Sequence, residues 1–383
     1  MAKNEKKEIL LLTIAFRPNI GGIETHFDDL IKALTKRDWW VWVLTYQPVE
    51  TKERGKWIEQ GGGFTIFRLP IIRGFFYKLV DRPLLEFLYL APGLFLATPT
   101  FLLFKGSRIG VIHAQGLVAG FVGVFWGKIF GKKVVVSTHS IYHFPKAGFY
   151  RSFASWIFRN ANFSMGLSRQ AKAEILSLGI PKEKVGVFTY WVDFDKFKVQ
   201  SSKFKVKEKL EWADKFVVLF VGRLVPEKGI KELIAAAKLW DKRITLAIAG
   251  SGPLESYIKH QTSIINHIVF LGKLNQDELP NYYSAADLLI VPSVHEEGFG
   301  RVILEALSCG TPVIGANRGA IPEALDESVG RLIEVSPENI KKAVEYFYDH
   351  PEELKKLAKN ARKYAEKRFS EKNTEMIIRS YYD

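Results

Sequence analysis

Residues 297–314 read EGFGRVILEALSCGTPVI and follow an apolar run from Ala286 to Val291. The run predicts a buried parallel strand and Phe299 to Ser308 predict a helix, so Gly298 and Gly300 fall at a strand-to-helix turn. Exposed amides and the positive end of a helix dipole suit such a turn to an anionic ligand. Glu297 and Glu305 stand eight residues apart, roughly 2.2 turns at 3.6 residues per turn, so Glu305 is expected deeper along the helix that Glu297 opens. Two acceptor-only carboxylates along one wall match two sets of vicinal hydroxyls on an extended ligand such as a nucleotide sugar. Alone, two helix glutamates are ordinary solvated residues. The glycine turn and the motifs below make them a candidate site.

Both halves of the chain alternate β-branched runs with amphipathic segments, the pattern of parallel α/β domains. In the first half strands are predicted at Ile9–Ala15, Trp40–Thr45, Phe64–Leu69, Gly110–His113, Lys133–Thr138, Ala161–Leu167 and Val185–Phe188. In the second they are predicted at Phe216–Val221, Ile244–Ala249, His267–Leu271, Leu288–Pro292, Pro312–Gly315 and Gly330–Ile333. The expected fold is α/β, two Rossmann-like domains facing across a cleft, with C-terminal helices. Residues 1–190 are expected to form the basic first domain and 191–207, polar and without periodicity, the linker. Residues 208–365 form the nucleotide-sugar domain, and 366–383 a terminal helix packing back toward the first domain. Ligands of such sheets bind at the carboxyl ends of the strands, where every motif here falls.

At 383 residues, 47% hydrophobic and 25% charged, the chain is long and apolar enough to bury two full cores. Its single cysteine, Cys309, rules out an intramolecular disulfide framework and fits a reducing cytosol. The opening MAKNEKKEILLL runs from charges straight into a strand and is too short for a signal anchor. No uninterrupted span of 18 clearly apolar residues is visible, although residues 73–104 are dense in Phe and Leu, broken by Pro83, Pro92 and Pro99. Core helices or an interfacial element both suit that stretch. The net charge of +14 is unevenly spread: residues 1–190 hold 26 Lys/Arg against 13 Asp/Glu, and between Phe87 and Ala173 there is no acidic residue against ten basic ones. A field of one sign favours an anionic partner.

Three further turns carry chemistry. FRPNIGGIE (16–24) follows the first strand, and Gly21 and Gly22 allow amides to approach a phosphate at a helix start. VGRLVPEKG (221–229) places Arg223 and Lys228 five residues apart, a pair able to clamp a diphosphate and neutralise it as it departs. AGSGP (249–253) again offers amides, from Gly250 and Gly252, while Glu255 stands where a dinucleotide fingerprint needs its third glycine. THS (138–140) ends a strand of the basic half, and His139 is a candidate to hydrogen-bond a sugar hydroxyl. His139 with His143, and His295 beside Glu296, lack the carboxylate that would complete a ligand set, so no metal is expected.

In order, IGGIETH, VVVSTHS, VGRLVPEKG, IAGSGPL, FLGKL, EGFGRVILEALSCGTPVI and NRGAIPE resemble the retaining GT-B glycosyltransferases of family 4, relatives of glycogen synthase and the phosphatidylinositol mannosyltransferases. The resemblance runs over nearly the whole chain. It implies that Glu297 holds hydroxyls of the donor hexose and Glu305 those of the ribose. Arg223 and Lys228 would bind the diphosphate, with Gly21, Gly22, Gly250, Gly252 and Lys273 on the donor side. Gly298, Phe299 and Gly300 would line the sugar pocket through their amides, and His139 would reach the sugar near its anomeric end. The implied catalytic set is Glu297, His139, Arg223 and Lys228, with no cofactor or metal and with anomeric retention. Tyr190-Trp191-Val192-Asp193 departs from the Asn-Gly-Val-Asp of many relatives.

An inverting mechanism would need a general base for the acceptor hydroxyl, and the acid-free stretch offers none. The expected partners are a nucleoside-diphosphate sugar and an anionic membrane surface or lipid acceptor, with the protein cytoplasmic and peripheral at the inner face. A soluble acceptor, such as a sugar phosphate or oligosaccharide, is the rival within the same chemistry. A nucleotide-sugar epimerase and a basic nucleic-acid binder are more distant readings, the latter without any recognition module; no nucleic acid is expected. Donor base, donor sugar and oligomeric state are not legible.

Overall fold

A computed structural model describes residues 7–19, 21–49, 53–72, 82–105, 108–197 and 207–382. The chain divides into two compact units, Met1–Thr189 with Asn373–Asp383, and Tyr190–Lys372. Of the expected linker, residues 191–197 fold into the second unit. Trp191, Val192 and Phe197 are buried there, and the Val192 amide donates to the Phe369 carbonyl at 2.9 Å. Residues 198–206 lie outside the described residues. The terminal stretch expected from 366 changes unit only after Lys372.

In the first unit the order is β1 (Lys7–Leu12), α1 (Gly22–Thr35), β2 (Trp39–Tyr46), β3 (Ile58–Gly61), β4 (Phe64–Leu69), α2 (Pro83–Lys105), β5 (Ile109–Gln115), α3 (Gly116–Ile129), β6 (Lys133–Thr138), α4 (Phe149–Asn160), β7 (Phe163–Gly166), α5 (Arg169–Ser177) and β8 (Val185–Val187). Among the described residues the sheet runs β3-β4-β2-β1-β5-β6-β7-β8, parallel except for β3 against β4. Its central strands are Val, Ile and Leu runs covered on both faces, as a parallel sheet requires. β3 was not anticipated. It is a short edge strand, IEQG, joined to β4 through Gly62-Gly63, and Glu59 on it accepts from Arg17 at 2.7 Å and from buried Arg68 at 2.8 Å.

α2 runs unbroken through Pro92 and Pro99, where interruptions were expected; residues 73–81 of that stretch lie outside the described residues. Pro99 has no amide for the Phe95 carbonyl, and the indole Nε1 of Trp126 on α3 donates to that carbonyl instead, at 2.9 Å. One turn earlier the Tyr46 hydroxyl enters the helix ladder, accepting from the Leu94 amide at 2.9 Å and donating to the Leu90 carbonyl. A Cβ at Gly93 would stand 2.5 Å from that hydroxyl, so only glycine admits it. The buried face of α2 (Leu90, Ala91, Leu94, Leu102) joins the core of β1, β2, β5 and α3.

The second unit runs β9 (Phe216–Val221), α6 (Ile230–Ala237), β10 (Ile244–Ala249), α7 (Glu255–Thr262), β11 (Ile268–Gly272), α8 (Leu279–Ala285), β12 (Leu288–Val291), α9 (Arg301–Ser308), β13 (Val313–Ala316), α10 (Ile321–Ala324), β14 (Gly330–Ile333), α11 (Pro337–Asp349) and α12 (Pro351–Arg368). Its sheet order is β11-β10-β9-β12-β13-β14, all parallel. In order of appearance that is 3-2-1-4-5-6, the doubly wound arrangement whose ligand crevice opens where the order reverses. Here the reversal lies between β9 and β12. The chain then returns to the first unit as α13 (Thr374–Arg379). The Tyr381 hydroxyl, just beyond it, sits 2.7 Å from Nδ1 of His113 on β5.

Candidate active site

Loops after β9 and β12 flank the switch point and are tied together through backbone. A single 3-10 turn, Pro226–Lys228, ends at Gly229 with φ +68°, where a Cβ would meet the Pro292 carbonyl oxygen at 1.8 Å. The amides of Val294 and His295 donate to the Glu227 carbonyl at 3.0 and 3.3 Å. On the other flank Leu224 bonds through its amide to the Ser251 carbonyl at 2.9 Å and through its carbonyl to the Leu254 amide at 3.0 Å. The VGRLVPEKG, AGSGP and EGFGR turns therefore form one rim at the carboxyl ends of β9, β10 and β12.

Glu297 lies on that rim. Its Oε1 is 2.8 Å from the Lys228 ammonium and accepts a hydrogen bond from the Ser293 hydroxyl. Burial pushes the carboxyl pKa up, but Lys228, Ser293 and the charge of Arg223 outweigh it and hold Glu297 below the usual carboxylate range. It is therefore ionised at neutral pH. Its main chain is fixed as firmly: the Glu297 carbonyl accepts from the Ala320 amide at 2.9 Å, and a Cβ on Gly319 (φ +58°) would stand 2.7 Å from the Glu297 amide nitrogen.

Glu297 does not open the helix. α9 begins at Arg301, after Gly300 at φ +79°, rather than at Phe299 as expected. The left-handed glycine ends the loop, while the Phe299 ring turns inward against Tyr190 at 6.3 Å and Phe369 at 5.9 Å between ring centres. Phe299 thus anchors the loop through its side chain. Glu305 is on α9 and buried, accepting from Arg301 Nε at 3.2 Å and from the Tyr283 hydroxyl at 2.9 Å. The Arg301 guanidinium also lies over the Tyr190 ring, 5.7 Å from its centre. The departure at Tyr190-Trp191 therefore supplies aromatic packing under the α9 start. Arg223 and Lys273 are exposed, on the loops after β9 and β11. Gly298 is half-buried in the EGFG turn, and Gly250 and Gly252 lie after β10.

In the first unit Gly21 and Gly22 stand at the start of α1, as expected. The Glu24 side chain folds back over that end, so that a Cβ on Gly21 would lie 2.6 Å from Glu24 Oε2. A carboxylate thus already occupies the dipole's positive end. His139 follows β6 and is buried among the rings of His26, Phe27 and Phe188, with centre distances of 5.0, 5.5 and 5.1 Å. Its Nε2 is 3.4 Å from Ser137 Oγ, which is 2.9 Å from His113 Nε2. Burial lowers the pKa of both His113 and His139 to about 3, with His113 adding to the effect on His139. Both rings are neutral at pH 7.

The residues that sequence reasoning missed are Ser293, Gly319, His26, His113 and Ser137. Gly319 lay within the quoted NRGAIPE and His26 ends IGGIETH, so both were visible as motif members without a role. Ser293 and His113 carried no signal beyond lying at or near strand ends. Among the described residues no three His, Cys, Asp or Glu side chains are grouped to hold a metal ion.

Two family models together account for most of the chain: one described as Glycosyltransferase Family 4 matches residues 20–196, and one described as Glycosyl transferases group 1 matches 202–364. An uncharacterized glycosyltransferase of Methanocaldococcus jannaschii is 31% identical over 246 residues, 59% of this chain and 62% of the relative. A GDP-mannose-dependent alpha-(1-6)-phosphatidylinositol monomannoside mannosyltransferase of Mycolicibacterium smegmatis is 30% identical over 182 residues, 44% of this chain and 48% of the relative. The matched stretches thus span about half to three fifths of these relatives' lengths. The Anabaena protein HepE, solved with UDP and glucose, superposes with a TM-score of 0.76 at 22% identity over 98% of this chain and 99% of that one. The chain belongs to glycosyltransferase family 4 and has the GT-B fold.

Proposed function

We propose that the protein transfers a hexosyl unit from a nucleoside-diphosphate sugar to an acceptor hydroxyl, with retention of anomeric configuration and without a metal ion. The observation that carries this is the ionised Glu297 held at the β9/β12 switch point beside Lys228 and within the field of Arg223. An ionised carboxylate accepts hydrogen bonds from a pair of sugar hydroxyls. Two fixed cations on the neighbouring loop neutralise the diphosphate as the glycosidic bond breaks, which is where charge develops. Glu305, Gly250, Gly252 and Lys273 extend the donor site along the same rim.

For the acceptor we propose a phospholipid or lipid-linked sugar, with the enzyme peripheral at the cytoplasmic face of a membrane. The one-signed charge of residues 88–172 supports this, as does the relative that acts on phosphatidylinositol monomannoside. The test is nucleoside-diphosphate release from UDP-, GDP- and ADP-sugars in EDTA, with and without membrane lipid extract. Release from one donor, strongly raised by lipid, is expected. Release indifferent to lipid would replace the lipid acceptor with a soluble one, and silence with every donor would remove the transferase reading.

A further inference from the structure

α2 is 23 residues long, about 34 Å at 1.5 Å per residue, and apolar nearly all the way around. Its Leu84–Lys105 portion is long and apolar enough to cross a membrane, with a mean hydropathy of 1.7 in its most apolar window. One face is spoken for by the Tyr46, Trp126 and core contacts described above. On the other, Leu84, Leu88, Pro92, Leu96, Thr100 and Leu103 recur every three or four residues and all are exposed, Leu96 at 72% and Leu103 at 75%. A solvent-facing helix stripe should be polar. Here it carries no charge, and contiguous apolar surface of this kind marks an interaction site.

The stripe is bordered by positive charge. Arg82 and Lys105 are exposed at the two ends of α2, and Arg108 and Lys128 are exposed in the elements that follow. Phe87 of α2 packs on Phe121 of α3 and Phe153 of α4, at 5.3 and 5.0 Å between ring centres, so the apolar surface continues to exposed Phe149 and Trp156. Trp156 also forms a wall of an open cleft of about 570 Å³ that holds Arg151 and Arg159. Two guanidiniums beside an indole suit a phosphate set next to hydrocarbon.

We propose that the first unit docks on an anionic bilayer, with the exposed stripe of α2 lying in the plane of the membrane among the acyl chains and the α4 cleft seating a lipid phosphate. Spanning is ruled out by the contacts of the buried face, since crossing would strip Tyr46 and Trp126 from the helix. A second copy of the chain is a poor occupant, because two such basic faces repel. The inference rests on the lipid-acceptor reading above and names the surface and the depth at which that reading operates.

The test is flotation of the full chain with phosphatidylcholine vesicles, with and without phosphatidylglycerol, at low and high salt. The wild type is expected to float with the anionic vesicles at low salt. Leu96→Ser with Leu103→Ser should lose tenfold or more of that binding. Arg151→Gln with Arg159→Gln should lose about twentyfold, roughly fivefold per basic residue. A wild type that stays in solution at low salt, or a leucine variant that floats as well as the wild type, overturns the proposal. Hydrogen exchange on the unaltered protein answers without any variant: amides of 84–105 gain protection on anionic vesicles, and unchanged protection overturns the docking. The lipid reading fails separately. Vesicle binding without lipid-stimulated diphosphate release removes the lipid acceptor and leaves the docking; stimulated release in detergent by a protein that ignores vesicles does the reverse.

Discussion

Replacing Lys228 with methionine removes the cation 2.8 Å from Glu297 while keeping most of the apolar stem. Breaking a fully buried pair costs about 3–5 kcal/mol because the surviving charge is left in low dielectric. The Lys228 side chain is 26% exposed and that of Glu297 11%, so water takes up part of the loss and about 1–3 kcal/mol is expected. At about 2–4 °C per kcal/mol for a unit of this size, the unfolding midpoint should fall by roughly 2–12 °C at pH 7.5. The pH dependence is more diagnostic than the size. Glu297 titrates below its unfolded value in the wild type, so the pair's stabilisation is present above the ordinary carboxylate range and fades as pH falls through the folded value. Without Lys228, burial pulls the carboxyl the other way, and its protonation relieves the variant before it harms the wild type. The gap in midpoint should therefore narrow toward pH 5. Adding Glu297→Gln to the variant removes the stranded charge and should restore part of the loss, a non-additive cycle. A gap that stays constant with pH, together with strictly additive variants, would refute the coupling.

Gly319→Ala should lower diphosphate release about a hundredfold while the protein stays folded, because its methyl group would displace the Glu297 backbone and small misplacements at a reacting centre cost about that much; activity against melting separates the two effects. Trp126→Phe leaves the Phe95 carbonyl without its donor and should cost about 1–3 kcal/mol in denaturant titration. Adding Pro99→Ala supplies a backbone amide for that carbonyl and should recover much of it. His113 and His139, both lowered to about 3 by burial, contribute stability that is present above their unfolded value near 6.5 and lost as pH falls toward 3. Stability should drop by about 1 kcal/mol per pH unit for each below pH 6, and His113→Phe with His139→Phe should flatten that slope.

Every strand anticipated from β-branched runs is present, because runs buried on both faces in a parallel sheet leave an unmistakable composition. β3 escaped because an edge strand carries polar residues, and its purpose, presenting Glu59 to Arg17 and Arg68, depends on tertiary neighbours. α2 was read as broken since its prolines forbid two helix bonds locally; Trp126 and Tyr46, distant in sequence, repair and enter the ladder. The EGFG turn was legible as a glycine-bearing loop between strand and helix, yet the residue pairs made there were not. Lys228 meets Glu297 only because β9 and β12 lie side by side at the reversal of strand order. Glu305 was legible as a carboxylate in the right helix, but its enclosure by Arg301 and Tyr283 required packing to be seen. The start of α9 was placed early because Phe299 looks like a helix residue, whereas the left-handed Gly300 sets the boundary.

The most direct measurement is donor-dependent nucleoside-diphosphate release in EDTA by the wild type and by Glu297→Gln, each shown by its melting transition to be fully folded at the assay temperature. Release from one donor by the wild type is expected, and its loss by several orders of magnitude in the variant. Undiminished release by a folded Glu297→Gln protein would contradict the assignment of Glu297 to the donor sugar, and with it the proposed transfer site.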